Sequence, residues 1–530
     1  MPARRAAIAT IAVALLVAGC GGGSSAPGRN TRGGAPLNSQ QVAHLQAFAA
    51  CMRAHGVARM PSVDGNGHGG ENGNGQLDLN SPVVKSAIKT CIPTAHGTIG
   101  ANLEPVGVSG TAPNPANSPQ AAGATGDCDS LTTCYTARQL ETAYGITPLL
   151  AHGINGHGQT VVLPEIAQGL FPPHAYTDLR QDMRLFDKAF GLPAPHLRVI
   201  NSIAESGSPW QADGEEVLDA EMVHAAAPGA AITIVLIKPS SFHNAAGGVA
   251  AAVAALQIAV TNRTAVVSIS AAGQTGGENC DTPTQVKLLN SALQNAVDHH
   301  ITVVAASGDI GAVGEPCDLA NGLMGGSFPP VKEVNLPASD PLVLAAGGTT
   351  LTASHKIGGY ISEIGWGLPY GSAGTQFQAS GGGFSRVFAR PSYQASSRES
   401  RAGRGVPDVA SDAAPHTGMA LIVSNGAGGY TIRNSGGTSA SAPLWAGIIA
   451  LADQYAGRQL GFVNPAIYRI GRSASYPQAF HDITQGNNTP QFPGHTITGY
   501  KATPGWDPVT GWGSPNAQAL IPLLVHYSNQ

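Results

Sequence analysis

Residues 434–447 read "NSGGTSASAPLWAG": two glycines, a run of small and hydroxyl-bearing residues, a proline, then an apolar stretch that continues as "IIALADQYA". A chain that turns on glycine and enters a long apolar helix presents the free N–H groups of that helix's first turn. Proline is tolerated in a first turn because its missing N–H would have no acceptor there, so the helix is predicted to open with Pro443 in its first turn and Ser439 at its N-terminus. Two uses of Ser439 fit this position. It can cap the helix with its hydroxyl, or it can serve as a nucleophile whose developing negative charge the helix end would favour.

Outward from this helix, apolar β-branched runs alternate with helical stretches. "QTVVLPEI", "AAITIVLI", "AVVSIS", "ITVVAAS" and "LVLAAGG" read as buried strands, while "GEEVLDAEMVHAAA", "TQVKLLNSALQNAVDHH" and "SAPLWAGIIALADQYA" read as helices. Alternation of this kind predicts an α/β fold, a parallel sheet with helices on both faces. Sites in such sheets gather at the carboxyl ends of the strands.

With 530 residues and 42% hydrophobic content, the chain can bury a large core in more than one domain. Its net charge of -4 and lack of a basic patch argue against a nucleic-acid partner. The N-terminus "MPARRAAIATIAVALLVAGC" carries two arginines and an apolar stretch too short to span a bilayer, the pattern of a signal peptide. Its small residues before Cys20 resemble a bacterial lipobox, which implies lipidation of Cys20 and an anchor on the outer face of the cell membrane. The boundaries expected are a lipoprotein signal peptide at 1–19, a flexible tether at 20–37, a small helical module at 38–95, a Gly/Pro/Ala-rich linker at 96–126 and one large domain at 127–530.

Without Cys20, six cysteines remain, an even set suited to an oxidising compartment. Six cysteines allow fifteen pairings; nearness in sequence favours Cys51 with Cys91, Cys128 with Cys134 and Cys280 with Cys317. His55 and His68 in the helical module read as surface histidines rather than metal ligands.

A nucleophilic Ser439 needs a base, and no histidine stands in a motif pairing it with an acid. "DGEEVLDAEMVHAAAPGA" instead sets Glu215 and Asp219 four residues apart on one helical face. Neighbouring carboxylates raise one another's pKa, so one of them can exchange protons in mild acid. The same spacing also fits an ordinary acidic helix start.

At this point the motifs carry a family resemblance. "GGTSASAP", "GEEVLD", "AASGDIG" and "PGWDPVTGWGSP" occur in the order of the sedolisin family, the serine-carboxyl peptidases of subtilisin-like fold, and the likeness runs from about Tyr135 to the C-terminus. It implies Ser439 as nucleophile, Glu215 as its general base, Asp219 as the acid that orients Glu215, and Asp309 in the oxyanion hole. Glu216, three residues from Asp219, is an alternative base that the family spacing does not select. An aspartate donating to an oxyanion must be protonated, which implies work in acid; Asp309 also fits a plain Asx turn after its strand. Near the C-terminus, Asp482 and Asp507 offer the hard oxygens calcium prefers, and the resemblance adds the carbonyls of Ile483, Thr503 and Gly505 to one structural Ca2+ site.

Two features depart from the family. Ala271 stands after "SIS" where many members have tryptophan, and a small helical module precedes the large domain where members carry a long propeptide. Glu165 falls where some relatives have a supporting acid, and it also fits a solvated strand-end carboxylate. The expected function is a membrane-anchored, monomeric endopeptidase acting on proteins or peptides in acid. The competing expectation is a catalytically impaired binding or scaffold lipoprotein. A histidine-dependent subtilisin is disfavoured, because Glu215 stands where its histidine would be needed.

Overall fold

The computed structural model describes residues 39–57, 91, 108–110, 134–166, 178–201, 214–237, 244–271, 274–318, 330–367, 378–395, 402–424, 429–490 and 497–529. The chain divides into two compact units, Met1–Glu104 with Ser372–Gly374, and the remainder. In the first, a helix spans Ser39–Ala54 and Cys51 is bonded to Cys91, as expected. The signal peptide, the tether and, apart from Cys91, the second helix of the module lie outside the described residues.

The second unit is built on an eight-stranded sheet. Its strands are β1 (Thr160–Ile166), β2 (His196–Asn201), β3 (Ala231–Ile237), β4 (Val266–Ile269), β5 (Thr302–Ala306), β6 (Leu344–Ala353), β7 (Tyr360–Gly365) and β8 (Val409–Asp412). The order is β7-β6-β5-β4-β1-β3-β2, with β8 paired in parallel to β6. All pairings are parallel except β7 on β6. The parallel α/β fold class read from the sequence is therefore observed.

The reason lies in the strand composition. A parallel strand is covered on both faces and reads as a continuous apolar run. Within β3, Ile232, Ile234 and Leu236 enter one core while Val235 and Ile237 enter the other. Val304 and Ala306 of β5 divide from Val303 and Ala305 in the same way.

The first face is covered by α1 (Leu179–Phe190), α2 (Glu215–Ala226) and α5 (Thr438–Ala456), with α6 (Ala517–Tyr527) packed on the same core. The second is covered by α3 (Ala245–Asn262) and α4 (Pro283–Asp298). Local chemistry sets several of these helix starts. Thr282 and Gln285 form a capping box at α4, with Pro283 in the first turn, and Asn244 caps α3. A hairpin of β9 (Met419–Ser424) and β10 (Tyr430–Ser435) leads into α5, and a short strand at Val108–Gly110 pairs antiparallel with β10.

One boundary differs from expectation. Helix α5 begins at Thr438 and carries Pro443 in its interior rather than in its first turn. The early start has a cause outside the helix: the Thr438 N–H donates to Asp309 Oδ1 at 2.7 Å, so a side chain after β5 supplies the cap. Pro443 has no N–H to give to the Ser439 carbonyl four residues back. That carbonyl instead accepts from the Ser270 hydroxyl at 3.3 Å.

Candidate active site

Ser439 is the second residue of α5 and is half-buried. The N-cap position belongs to Gly437, at φ 90°, with no side-chain capping bond. Ser439 therefore does not cap this helix, and the first of its two sequence readings falls away.

Helix α2 lies alongside α5 in the same direction. Gly447 of α5 sits so close to α2 that a Cβ on it would fall 2.5 Å from Ala226 Cβ and 3.3 Å from the Val223 carbonyl. Ser270, whose hydroxyl donates to the Ser439 carbonyl, also lies beside Asp219 of α2. Asp219 is thus level with Ser439, and Val223 to Ala226, four to seven residues further along α2, with Gly447, eight residues or about 12 Å further along α5. This parallel packing brings Glu215, the first residue of α2, to the same end as Ser439.

Around that end the carboxyls are crowded. Glu215 is half-buried, while Glu216 and Asp219 are buried completely. Glu165, at the carboxyl end of β1, is buried against Asp219. Burial drives the Glu165 carboxyl well above its ordinary range, and repulsion from Asp219, Glu216 and Glu215 adds to it. Burial likewise raises Asp219, while the neighbouring Ser270 and Glu165 pull it partly back. No cation is among the groups acting on either carboxyl. Such a cluster keeps protons at a pH where exposed carboxyls have lost them. Of the two sequence readings of Glu165, the structure has the carboxyl packed on Asp219, not solvated.

Asp309 approaches from the other side, in the turn after β5. Its Oδ1 accepts from the Thr438 N–H at 2.7 Å and from the Thr438 hydroxyl at 2.8 Å. Its Oδ2 lies over Gly437, where a Cβ would come within 2.6 Å. Burial raises its pKa, and the two Thr438 hydrogen bonds work against that rise. The simple Asx-turn reading of Asp309 does not describe these contacts, because the carboxyl reaches across to another element. Glu215, Asp219, Asp309 and Ser439 are thus gathered at the carboxyl end of the sheet.

Ser270, Thr438 and Glu315 belong to this neighbourhood and were not singled out by sequence reasoning. Thr438 adjoins Ser439 and Ser270 lies in the "SIS" strand, so both had a positional signal. Glu315 had none: it reaches Asp309 by a loop that only the fold brings back. Ala271 is half-buried against the apolar core beneath α3 and α4.

The C-terminal carboxylates are also brought together. Asp482 Oδ1 accepts from the Tyr476 hydroxyl at 2.9 Å and from the Gly505 N–H at 3.0 Å. Asp507 Oδ2 accepts from the Thr503 N–H at 3.1 Å, and both carboxylates act on Tyr476. Asp507 is buried, and burial lifts it to about 7. Among the described residues neither carboxylate has an ion pair. Asp507 Oδ1 further accepts from the Val509 and Thr510 N–H groups, so backbone donors hold its carboxyl, and the exposed Asp482 beside it is a hard oxygen donor of the kind a divalent ion takes. Cys51, His55 and Cys91 also cluster, but the two sulfurs are bonded to each other.

Cys280 is bonded to Cys317 as expected. Cys134 is disulfide-bonded too; its expected partner Cys128 lies outside the described residues.

A parallel sheet with a serine at a helix start and carboxyls in place of a histidine defines a subtilisin-like fold with an acidic site. The subtilase family (Peptidase_S8) matches residues 208–466. Kumamolisin of Bacillus sp. (strain MN-32) is 33% identical over 409 residues, 75% of this chain and 65% of that protein. Sedolisin of Pseudomonas sp. (strain 101) is 31% identical over 63% of this chain and 53% of its own length. Tripeptidyl-peptidase 1 of Homo sapiens is 30% identical over 66% of this chain and 58% of its own. A solved structure of Pseudomonas sedolisin (serine-carboxyl proteinase), complexed with two molecules of pseudo-iodotyrostatin, superposes with a TM-score of 0.59 at 25% identity, covering 74% of this chain and 98% of that one. The chain belongs to the sedolisin family. It spans less than two thirds of the length of each of these three curated relatives.

Proposed function

We propose that this chain is a serine-carboxyl endopeptidase that hydrolyses proteins or peptides in acid. The observation that supports the reading is the convergence on one helix start: Asp219 lies beside Ser270, whose hydroxyl donates to the Ser439 carbonyl, and Asp309 accepts from the Thr438 N–H next to Ser439. Ser439 Oγ attacks the scissile carbonyl while Glu215 takes its proton, with Asp219 orienting Glu215. The carbonyl oxygen becomes an oxyanion, stabilised by a proton on Asp309 and by the Ser439 N–H, one of the first-turn donors with no acceptor inside the helix. Glu215 then returns its proton to the leaving amine, and water repeats the sequence on the acyl-enzyme. The acid preference follows because Asp309 donates only while protonated, and burial holds its proton longer than water would.

Asp482, Asp507 and the carbonyls of Ile483, Thr503 and Gly505 would hold one calcium ion, which supplies structural cross-linking far from the chemistry. Lipid anchoring through Cys20 rests on the sequence; loss of the membrane-bound fraction in Cys20→Ala checks it.

Digestion of a denatured protein across acid to neutral pH tests the enzyme reading. The wild type is expected to cleave in acid and Ser439→Ala to be inert. Equal cleavage by both, or none by the wild type at any pH, would overturn it.

A further inference from the structure

We infer that Thr438 and Glu315 are positioning residues that grip Asp309 from its side chain and from its backbone, so that its proton is carried on Oδ2, the oxygen over Gly437. The inference rests on the proposed role of Asp309 and goes beyond it, because it assigns which oxygen donates and what holds it there.

The side-chain grip is read from donors and acceptors. The Gly308 N–H donates to Thr438 Oγ1 at 3.0 Å, so that hydroxyl points its single proton elsewhere, and Asp309 Oδ1 accepts it at 2.8 Å. The Thr438 N–H reaches the same Oδ1 at 2.7 Å. An oxygen facing an N–H and an O–H is an acceptor twice over; a proton placed on it would meet two donors head-on. The acid proton therefore belongs on Oδ2. That oxygen faces the Gly437–Ser439 turn, and glycine is required at 437 both for φ 90° and because a Cβ there would fall 2.6 Å from Oδ2.

The backbone grip comes from Glu315. Its Oε1 accepts from the Asp309 N–H at 2.9 Å, and its own N–H donates to Asn335 Oδ1 at 2.7 Å. Asn335 Nδ2 donates in turn to the Ser307 carbonyl at 3.0 Å, which ties both ends of the 307–309 turn to one buried support. The Glu315 carbonyl accepts from the Gly277 N–H at 2.8 Å, and two residues later Cys317 is bonded to Cys280. Asp309 is the charged group acting on Glu315. Glu333 packs on Gly314 and Gly277 next to it, with Glu278 and Arg386 acting on Glu333. Burial and the Asp309 charge hold Glu315 up at about 7, so in acid its Oε1 accepts from the Asp309 N–H as part of a neutral carboxyl.

The two grips make different predictions for the pH–kcat profile and its neutral-side limb. Thr438 stabilises ionised Asp309, so Thr438→Val is expected to move the limb to higher pH while lowering kcat about tenfold or more, with KM within about a factor of two. Thr438→Ser, which keeps the hydroxyl, restores both. Glu315→Gln keeps a neutral acceptor for the Asp309 N–H, so its limb stays in place and its kcat in acid is largely kept. Glu315→Ala loses the acceptor as well, and kcat falls. Asp309→Ala is the control on the underlying reading. If it is as active as wild type, the assigned role of Asp309 fails. If it is inactive while Thr438→Val keeps the wild-type limb and Glu315→Ala keeps the wild-type kcat, the role stands and the clamp is wrong. A Glu315→Gln limb that moves as far as that of Thr438→Val also overturns the clamp.

Discussion

At the scale of the residue, the chemistry turns on where protons reside. A serine hydroxyl is a poor nucleophile until a base removes its proton, and the base proposed for Ser439 is a carboxyl whose ordinary pKa is too low for the task at neutral pH. Crowding is the remedy. Glu165 and Asp219 are buried together without a cation, and burial raises both. Glu215→Gln and Asp219→Asn are each expected to lower kcat by about 10²-fold or more while leaving the fold intact, as checked by turnover beside circular dichroism. Glu215→Gln active at neutral pH would mean that another base takes the Ser439 proton. The pairing of Glu215 with Asp219 was legible in the sequence because four-residue spacing fixes a helical face. Glu315 was not, since a backbone contact between residues six apart across an irregular turn has no periodic signature.

At the scale of the element, the site depends on two parallel helices held at short range. Gly447 permits the approach of α5 to α2, since any side chain there meets Ala226. Gly447→Ala is expected to cost about 1–3 kcal/mol of stability through overpacking and to reduce kcat by moving Ser439 away from Glu215. Thermal denaturation and turnover together check it, and an unchanged melting temperature would contradict the packing. The strands β1, β3, β4, β5 and β6 were readable because burial on both faces leaves an unbroken apolar run. Strand β2, "HLRVIN", was not, since it lies at the sheet edge where polar residues are accepted. The start of α5 was misplaced for a similar reason. Its cap is Asp309, more than a hundred residues away, and local sequence holds no trace of it.

At the scale of the whole molecule, the buried acids among the described residues outnumber the ion pairs found there. Burial lifts Glu315 and Glu141 to about 7 and Asp453 to about 8, and raises Glu165, Glu221, Glu363 and Asp412 as well. The folded chain thus keeps protons that the unfolded chain releases near pH ~4. Unfolding sheds protons between about pH 4 and 8, so stability falls as pH rises through that window. At saturating calcium, the melting temperature is expected to be highest in acid and to decline toward neutral pH, and chelation to lower it further through loss of a ligand bound only to the folded state. Melting curves that improve from acid to neutral pH would contradict the proton inventory. A melting temperature indifferent to chelator would remove the ion from Asp482 and Asp507.

The central claim is that Ser439 forms the acyl-enzyme with carboxyls as its only proton partners. Hydrolysis of an activated peptide ester in acid, where deacylation limits turnover, can be quenched and mapped by peptide mass spectrometry. The account predicts the acyl group on Ser439 in the wild type, and in Ser439→Ala neither label nor turnover. An acyl group on any other residue, or an ester still hydrolysed by Ser439→Ala at the wild-type rate, would contradict it.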